Sequence, residues 1–407
     1  MKEDWQKVKL GEISHKIQTG PFGSQLHMSD YSKIGTPVVM PKDMINGKIS
    51  EESIARVSEE HVKRLSRHIV SEGNILYARR GDVGKCVYVT KYESGWLCGT
   101  GCLNVEINPN IADSKFIFYH LQNPDTVGWV YKNAKGATMP NLNTDILSDV
   151  PLQIPNITIQ KKIASILSAY DDLIENNNKQ IKLLEDAAQK LYKEWFMKLN
   201  FPGHENTKII DGVPEGWEYK SLNSLVDFQN GYAFKSDSFD ETGEYRLITI
   251  KNVKDGAFDY LNVNKIKVIP SGMQDWCKLE IGDSLVSLTG NVGRVCLVTA
   301  ENCLLNQRVA KIACTFPSYA YVLFRSKDMF NIMNKLAKGA AQQNLSPIQL
   351  GEEKILMPEN HLIKRFDQIV EPFVKEIICL NKQNQEVQSS RDKLLPKLMN
   401  QEIEVTA

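Results

Sequence analysis

The chain has 407 residues, 42% of them hydrophobic and 24% charged, which suits soluble globular protein and requires two or three domains. No apolar run reaches membrane-spanning length, and the charged opening Met1-Lys2-Glu3-Asp4-Trp5 lacks the core of a signal peptide, so a cytoplasmic protein is expected. The net charge of +0 excludes a uniformly basic nucleic-acid binder but leaves room for a local basic groove balanced elsewhere.

The first 156 residues alternate short apolar or β-branched runs with Gly, Asn and Asp, the pattern of strands and turns. Trp5 and Leu10 open this stretch, and Val38-Val39-Met40-Pro41-Lys42-Asp43-Met44 and Gly73-Asn74-Ile75-Leu76 follow. Next come the turn Arg79-Arg80-Gly81-Asp82-Val83-Gly84-Lys85 and the segment Cys98-Gly99-Thr100-Gly101-Cys102. Residues 114–131 read as helix, then Ala134-Lys135-Gly136-Ala137 leads to Asn141-Leu142, and Ile154-Pro155 closes the unit.

Beyond Pro155 the period changes. Ile163, Leu167, Tyr170, Ile174, Asn177, Ile181, Leu184, Ala188, Leu191 and Trp195 advance by alternating fours and threes, a heptad seam with a polar position at Asn177. The polar, turn-rich segment Phe201-Pro202-Gly203-His204-Glu205-Asn206-Thr207 reads as a linker.

The second half then repeats the first. Leu247-Ile248-Thr249-Ile250-Lys251-Asn252-Val253 aligns with the Val38–Met44 run at an offset of 209 residues (Lys42 to Lys251). Without a gap the same offset places Gly73-Asn74-Ile75-Leu76 on Gly282-Asp283-Ser284-Leu285, and Gly81–Lys85 on Gly290-Asn291-Val292-Gly293-Arg294. Later the offset is 203 (Gly136 to Gly339), which matches Ala337-Lys338-Gly339-Ala340 and Asn344-Leu345 to their first-half partners. Trp217 and Leu222 answer Trp5 and Leu10, residues 319–337 read as helix, and Met357-Pro358 closes the copy. Such order among glycines and apolar positions marks a tandem duplication.

A second seam follows at Phe366, Val370, Phe373, Ile377, Leu380, Asn384, Val387, Arg391, Leu394 and Leu398. Pro372 and Pro396 interrupt it, so a kink or a helix end is expected at each. The two seams are expected to bury one another in an antiparallel pair, with Leu167, Ile174, Asn177, Ile181, Leu184, Leu191, Val370, Phe373, Ile377, Leu380, Val387 and Leu394 at the contact. Roughly 40 residues at 1.5 Å rise make a rod of about 60 Å. The expected fold class is α+β: two similar α/β domains separated by a pair of long antiparallel coiled-coil helices. The boundaries are 1–156 for the first domain, 157–199 for the first helix, 200–214 for the linker, 215–358 for the second domain and 359–403 for the second helix.

No catalytic constellation emerges. Cysteines 86, 98, 102, 277, 296, 303, 314 and 379 are scattered through strand-like runs and read as buried reduced thiols, and Cys98-x-x-x-Cys102 has no second ligand pair at zinc-finger spacing. The seven histidines form no His-Glu-x-x-His pair. Gly81-Asp82-Val83-Gly84-Lys85-Cys86 has neither the glycine spacing nor the Ser or Thr of a P-loop. There is no Gly-x-Ser-x-Gly elbow, no Asn-Pro-Pro-Tyr-type methyltransferase motif and no helicase acidic box.

The duplication, together with certain motifs, resembles the specificity subunit of type I restriction–modification systems over essentially the whole chain. The motifs are Thr19-Gly20-Pro21-Phe22-Gly23-Ser24, the Gly-x-x-x-x-x-Leu elements at Gly136–Leu142 and Gly339–Leu345, Pro214-Glu215-Gly216-Trp217, and Arg391-Asp392-Lys393-Leu394-Leu395-Pro396-Lys397-Leu398. The resemblance implies two target-recognition domains, each reading one half of a bipartite site in double-stranded DNA, with helices that act as ruler and dock two modification (methyltransferase) subunits. Restriction subunits, the ATP-dependent nuclease and translocase, join such complexes. S-adenosylmethionine then belongs to the modification subunits, ATP and Mg to the restriction subunits, and no cofactor or metal to this chain.

Under that reading Lys85 and Arg294 are candidates for phosphate, and Arg79, Arg80 and Asn291 for base edges. Gln307 and Arg308, within Asn306-Gln307-Arg308, carry side chains suited to purine recognition; as a continuing strand, this segment would point Gln307 away from its neighbours. Thr138 and Asn141, and Gln342 and Gln343, occupy matching polar loops after Lys-Gly, and Lys42, Lys235 and Lys251 complete the DNA candidates. Tyr232 and Phe234 are equally suited to a core. Cys98–Cys102 departs from the second copy's Leu305-Asn306-Gln307-Arg308, so equivalent contacts in the first copy are not implied. Two other readings remain open: an autonomous nuclease or methyltransferase, and a coiled-coil scaffold without DNA readout.

Overall fold

The computed structural model describes residues 5–405 apart from 137–139, 262 and 340–342. It divides into two compact units, Met1–Asp172 with Gln388–Ala407, and Leu173–Val387. Each unit therefore holds one module and a stretch of both long helices.

The duplication is visible strand by strand. In the first module an antiparallel sheet runs in the order Ser14–Thr19, Cys102–Ile107, Ile75–Ala78, Cys86–Tyr88. The second module repeats that order with Val226–Asn230, Val309–Cys314, Ser284–Ser287 and Val295–Leu297. A smaller sheet in each contains one parallel pair, Thr36–Val39 with Leu97–Cys98 and Tyr245–Ile248 with Cys303–Leu305. Ala55–Val57 and Lys265–Ile266 flank these pairs antiparallel. The edges diverge: Tyr31–Ser32 extends the first module's sheet, and Lys278–Leu279 extends the second where the first has only the bridge Ile69–Leu97. A two-stranded ribbon joins the start and end of each module, Gln6–Lys9 with Pro151–Ile154 and Glu218–Ser221 with Lys354–Met357.

Where sequence predicts one helix over 114–131 and another over 319–337, each module has two. Ser114–Gln122 stops before Pro124–Asn133 because a residue preceding proline is driven out of the α region, and Asn123 sits at ψ 131°. In the second module Pro317–Phe324 and Lys327–Leu336 are split at Ser326, whose side chain accepts from the Met329 amide and starts a new helix.

The first long helix spans Ile157–Tyr192 and continues into the π turn Lys193–Met197; the second spans Asn360–Met399. Neither proline ends the second helix. The carbonyls left without a helical donor belong to Gln368 and Asp392, both exposed residues, so the helix passes each proline without burying an unpaired carbonyl. In the first unit Ile159, Ile163 and Leu167 share a core with Leu395, Leu398 and Met399. In the second, Ile181, Ala188 and Tyr192 share one with Phe366, Val370, Ile377 and Leu380. N-terminal turns of one helix meet C-terminal turns of the other in both cases, so the pairing is antiparallel. Leu184, Leu191 and Phe373 pack as partly buried flanks of the second core and Leu394 of the first, while Ile174 and Val387 are half-buried. Asn177 is buried and donates to Gln383 Oε1 at 2.8 Å, and Asn384 donates to Asn178 Oδ1 at 2.8 Å. The seam carries a polar layer, the kind of feature that fixes register.

All eight cysteines are free; six are buried, but Cys314 is half-buried and Cys379 lies exposed on the second helix, unlike the expectation of buried thiols throughout. Burial pushes the Cys86 and Cys98 thiols up to about 12, the behaviour of inert core groups.

Candidate nucleic-acid interface

Strand register brings the loops of each module to one edge. In the first module Thr19 pairs with Leu103 and Ala78 with Cys102, so the segments leaving both strands emerge beside the turn 99–101. The parallel pair ends at the same place, with Val38 opposite Leu97 and Val39 opposite Cys98. Backbone bonds then stitch the loops together. Arg79 N donates to Gly101 O at 2.7 Å, Leu142 N to Arg79 O at 2.9 Å, and Lys135 and Asn141 exchange bonds of 3.0 and 2.8 Å.

The second module repeats this stitching. Leu288 N donates to Arg308 O at 2.9 Å and Leu345 N to Leu288 O at 2.7 Å, while Lys338 and Asn344 exchange bonds of 3.0 and 2.8 Å. A side-chain bond is added, from Thr289 Oγ1 to Asn344 Oδ1 at 2.7 Å. Asn306-Gln307-Arg308 does not continue a strand. It is the turn between Cys303–Leu305 and Val309–Cys314, with Arg308 at φ 72°, a left-handed conformation that its counterpart Gly101 adopts at φ 91°.

A glycine closes each edge. A Cβ on Gly20 would sit 2.0 Å from Gly99 O, and one on Gly231 would sit 2.2 Å from Asn306 O. Only glycine permits that approach. Gly20 belongs to the Thr19–Ser24 motif, but its partner 79 residues away leaves no local signal.

The side chains on this shared frame differ. Arg79 is half-buried and partly committed to structure: its Nε donates to Leu142 O at 3.1 Å and its guanidinium lies 5.7 Å from the centroid of half-exposed Phe22. Its counterpart is buried Leu288. Arg80 is exposed and bridged through its backbone to Asn141, which is half-buried. Lys85 is exposed and lies 3.3 Å from Asp82. Burial works against ionisation of Asp82, but hydrogen bonds from Tyr131 and Lys85 outweigh it and hold the carboxyl below its ordinary range. Lys42 follows Pro41, which flanks Gly101; its Nζ donates to Ser53 O at 3.1 Å.

In the second module Gln307, Arg308 and Asn291 are exposed and Arg294 half-buried. Gln307 N donates to Tyr232 O at 2.9 Å, and Gly290 N to the carbonyl of exposed Gln343 at 3.0 Å. Lys251 is exposed just beyond Ile248, whose carbonyl accepts from Asn306 N at 3.0 Å. Lys235 is exposed beside buried Phe234, whose ring meets half-buried Tyr232 at 5.0 Å. Thr138 and Gln342 lie outside the described residues. The sequence reading missed Trp276, 43% exposed, whose indole donates to Asn230 O at 3.1 Å immediately before Gly231.

The edges thus present Asn291, Arg294, Gln307 and Arg308 at the surface in the second module, and arginines beside a glycine-rich turn in the first. Among the described residues no group of three or more His, Cys, Asp or Glu is placed to hold a metal, and no helix is long and apolar enough to cross a membrane.

Two copies of one α+β module, each with a stitched polar edge, and antiparallel helices shared between units define a DNA sequence-specificity protein. The family model for the type I restriction modification DNA specificity domain matches residues 2–186 and again 214–389, and the chain belongs to that family. It is similar to the type I restriction enzyme MjaIX specificity subunit of Methanocaldococcus jannaschii, 25% identical over 423 residues that cover 99% of this chain and 94% of the relative. It is also similar to the HindI specificity subunit of Haemophilus influenzae, at 22% identity over 98% of this chain and the whole of the relative. The solved S subunit of the type I restriction–modification system from M. genitalium shares the fold with a TM-score of 0.57 at 16% identity, covering 99% of this chain and 97% of that one.

Proposed function

We propose that the chain is the non-catalytic address-reading subunit of a type I restriction–modification complex, each module reading one half of a bipartite site in double-stranded DNA. The observation that carries this reading is the stitched edge, built by equivalent backbone bonds in both modules yet bearing different side chains. One frame with two sets of side chains suits two different half-sites. On this reading exposed Gln307 and Arg308 meet base edges, Asn291 a base edge and Arg294 the backbone, and Arg80, Lys85, Lys42 and Asn141 serve the first half-site. The antiparallel helices set the distance between half-sites and dock two modification subunits, which restriction subunits join. S-adenosylmethionine, ATP and Mg serve those partners; this chain holds no cofactor and works in the cytoplasm.

Exchange of residues 215–358 for the equivalent module of another family member tests the reading. The methylation pattern made with the modification subunits, read by methylome sequencing, is expected to change in one half of the site only. Retention of the original pattern would count against the proposal. Turnover of DNA by the isolated chain with Mg and S-adenosylmethionine would show an enzyme instead.

A further inference from the structure

Each unit contains a polar triad, a buried tyrosine with a half-buried carboxylate and arginine, that no DNA-reading role uses. In the first, Tyr119 on Ser114–Gln122 donates to Asp171 Oδ2 at 2.6 Å, and Arg391 pairs with the same carboxylate while its Nη2 reaches Asp392 at 2.7 Å. In the second, Tyr321 on Pro317–Phe324 donates to Glu185 Oε1 at 2.8 Å; Arg325 Nη2 lies 2.9 Å from Glu185 Oε2, and Arg325 also pairs with Asp255. Tyr119 and Tyr321 are 1% and 2% exposed, Asp171, Glu185 and the two arginines are 15–20% exposed, and the outer carboxylates Asp392 and Asp255 are open to solvent.

The two triads share a plan. A tyrosine from the corresponding helix of each module grips a carboxylate of the first long helix, and an arginine holds that carboxylate from the other side. Asp171 and Glu185 stand on the same helix, Ile157–Tyr192, two heptads apart in sequence. The arginine is recruited differently. Arg391 comes from the seam of the second long helix, whereas Arg325 caps the module's own helix, where the first module has Asn123. Reaching one arrangement from different residues indicates that the arrangement itself is needed. Apolar contacts between a helix and a module tolerate small rotations; a half-buried carboxylate held by directional hydrogen bonds tolerates them less, because rotation strips it of partners that its limited solvent access replaces only in part.

We infer that Asp171 and Glu185 are positioning residues: each fixes the angle at which its module stands on the first long helix, and together they determine which half-site spacing is accepted. This rests on the bipartite reading above. The phenols of Tyr119 and Tyr321 are pushed well up by burial, so both remain hydrogen-bond donors at any working pH.

The test uses the full chain with its modification subunits and duplexes bearing the two half-sites found by methylome sequencing, with spacers varied base pair by base pair over about one helical turn. Wild-type protein should favour one spacer. Tyr119→Phe and Tyr321→Phe remove only a hydroxyl and should lower that preference roughly three- to tenfold each, the size of one ordinary hydrogen bond at a half-buried carboxylate, while binding to a single half-site is unchanged. Arg325→Lys keeps the charge but loses the fork and should flatten the preference likewise, which guards against a tyrosine variant that fails to fold. Undiminished spacer preference in folded variants would overturn the inference, as would an equal loss at every spacer. A wild-type protein indifferent to spacing would overturn the bipartite reading and the inference with it.

Discussion

The two modules have the same strand order and the same stitching bonds, yet they differ at the turn where those bonds converge. Gly99-Thr100-Gly101 makes in the first what Asn306-Gln307-Arg308 makes in the second, including the left-handed residue that ends the turn. The first module braces its edge with a side chain, Arg79 on Leu142 O and against Phe22, where the second has buried Leu288. The contrast teaches that the frame is held by backbone bonds and one close-packed glycine per module. Side chains at the turn are thereby free to change with the sequence to be read.

The largest expected effect breaks the frame itself. Gly20→Val or Gly231→Val forces a side chain into a carbonyl 2.0 or 2.2 Å from the first added atom and should cost about 3 kcal/mol in the affected unit, measured by urea denaturation with a probe in each unit. Equal loss in both units, or none, would contradict a frame closed module by module.

Acid separates the units next. His120 is buried in the first unit and burial lowers its imidazole to about 4; burial lowers buried His68 to about 4 as well, and no histidine of the second unit is buried. The unfolded chain binds the proton near 6.5 and the folded one does not until about 4, so stability is fully present above 6.5 and falls as pH descends through that window. His120 alone should cost the first unit about 2 kcal/mol between about pH 7 and pH 5. Thermal unfolding followed in each unit should show the first loosening ahead of the second, and His120→Gln should flatten its pH dependence.

Side chains at the edge come third. Arg308→Ala should weaken cognate binding by about 1–3 kcal/mol and relax base preference at one position of one half-site, whereas Thr100→Ala at the matching turn should leave the other half-site nearly unchanged. Smallest is Lys85→Ala. Its exposed pair with Asp82 is worth little to the fold, and it should lower the slope of log affinity against log salt by about one without altering base preference.

How far the sequence foretells this differs between frame and edge. The duplication is legible because Gly81, Gly290, Gly136 and Gly339 all take left-handed conformations that few other residues tolerate, and so recur at matching positions. The helix seam is legible because burial repeats every three or four residues. The break at Pro124 follows from a local rule that the 114–131 reading passed over, while the cap at Ser326 is one of many serines with that potential. Three features depend on partners distant in sequence: the turn at Arg308, the contact of Trp276 with Asn230, and the grip of Tyr119 and Tyr321 on Asp171 and Glu185. Residue spacing carries no signal for such pairs. The candidate basic residues were readable as types, but that Arg79 is braced against Phe22 while Arg308 is exposed is decided by packing.

The most direct measurement is a paired selection from a random duplex library, bound by the complex and read by sequencing, for Arg79→Ala/Arg80→Ala and for Gln307→Ala/Arg308→Ala. Each double variant should lose base preference in one half of the site, a different half for each, and keep the other intact. Loss in both halves from either variant, or in the same half from both, would contradict two independently reading modules.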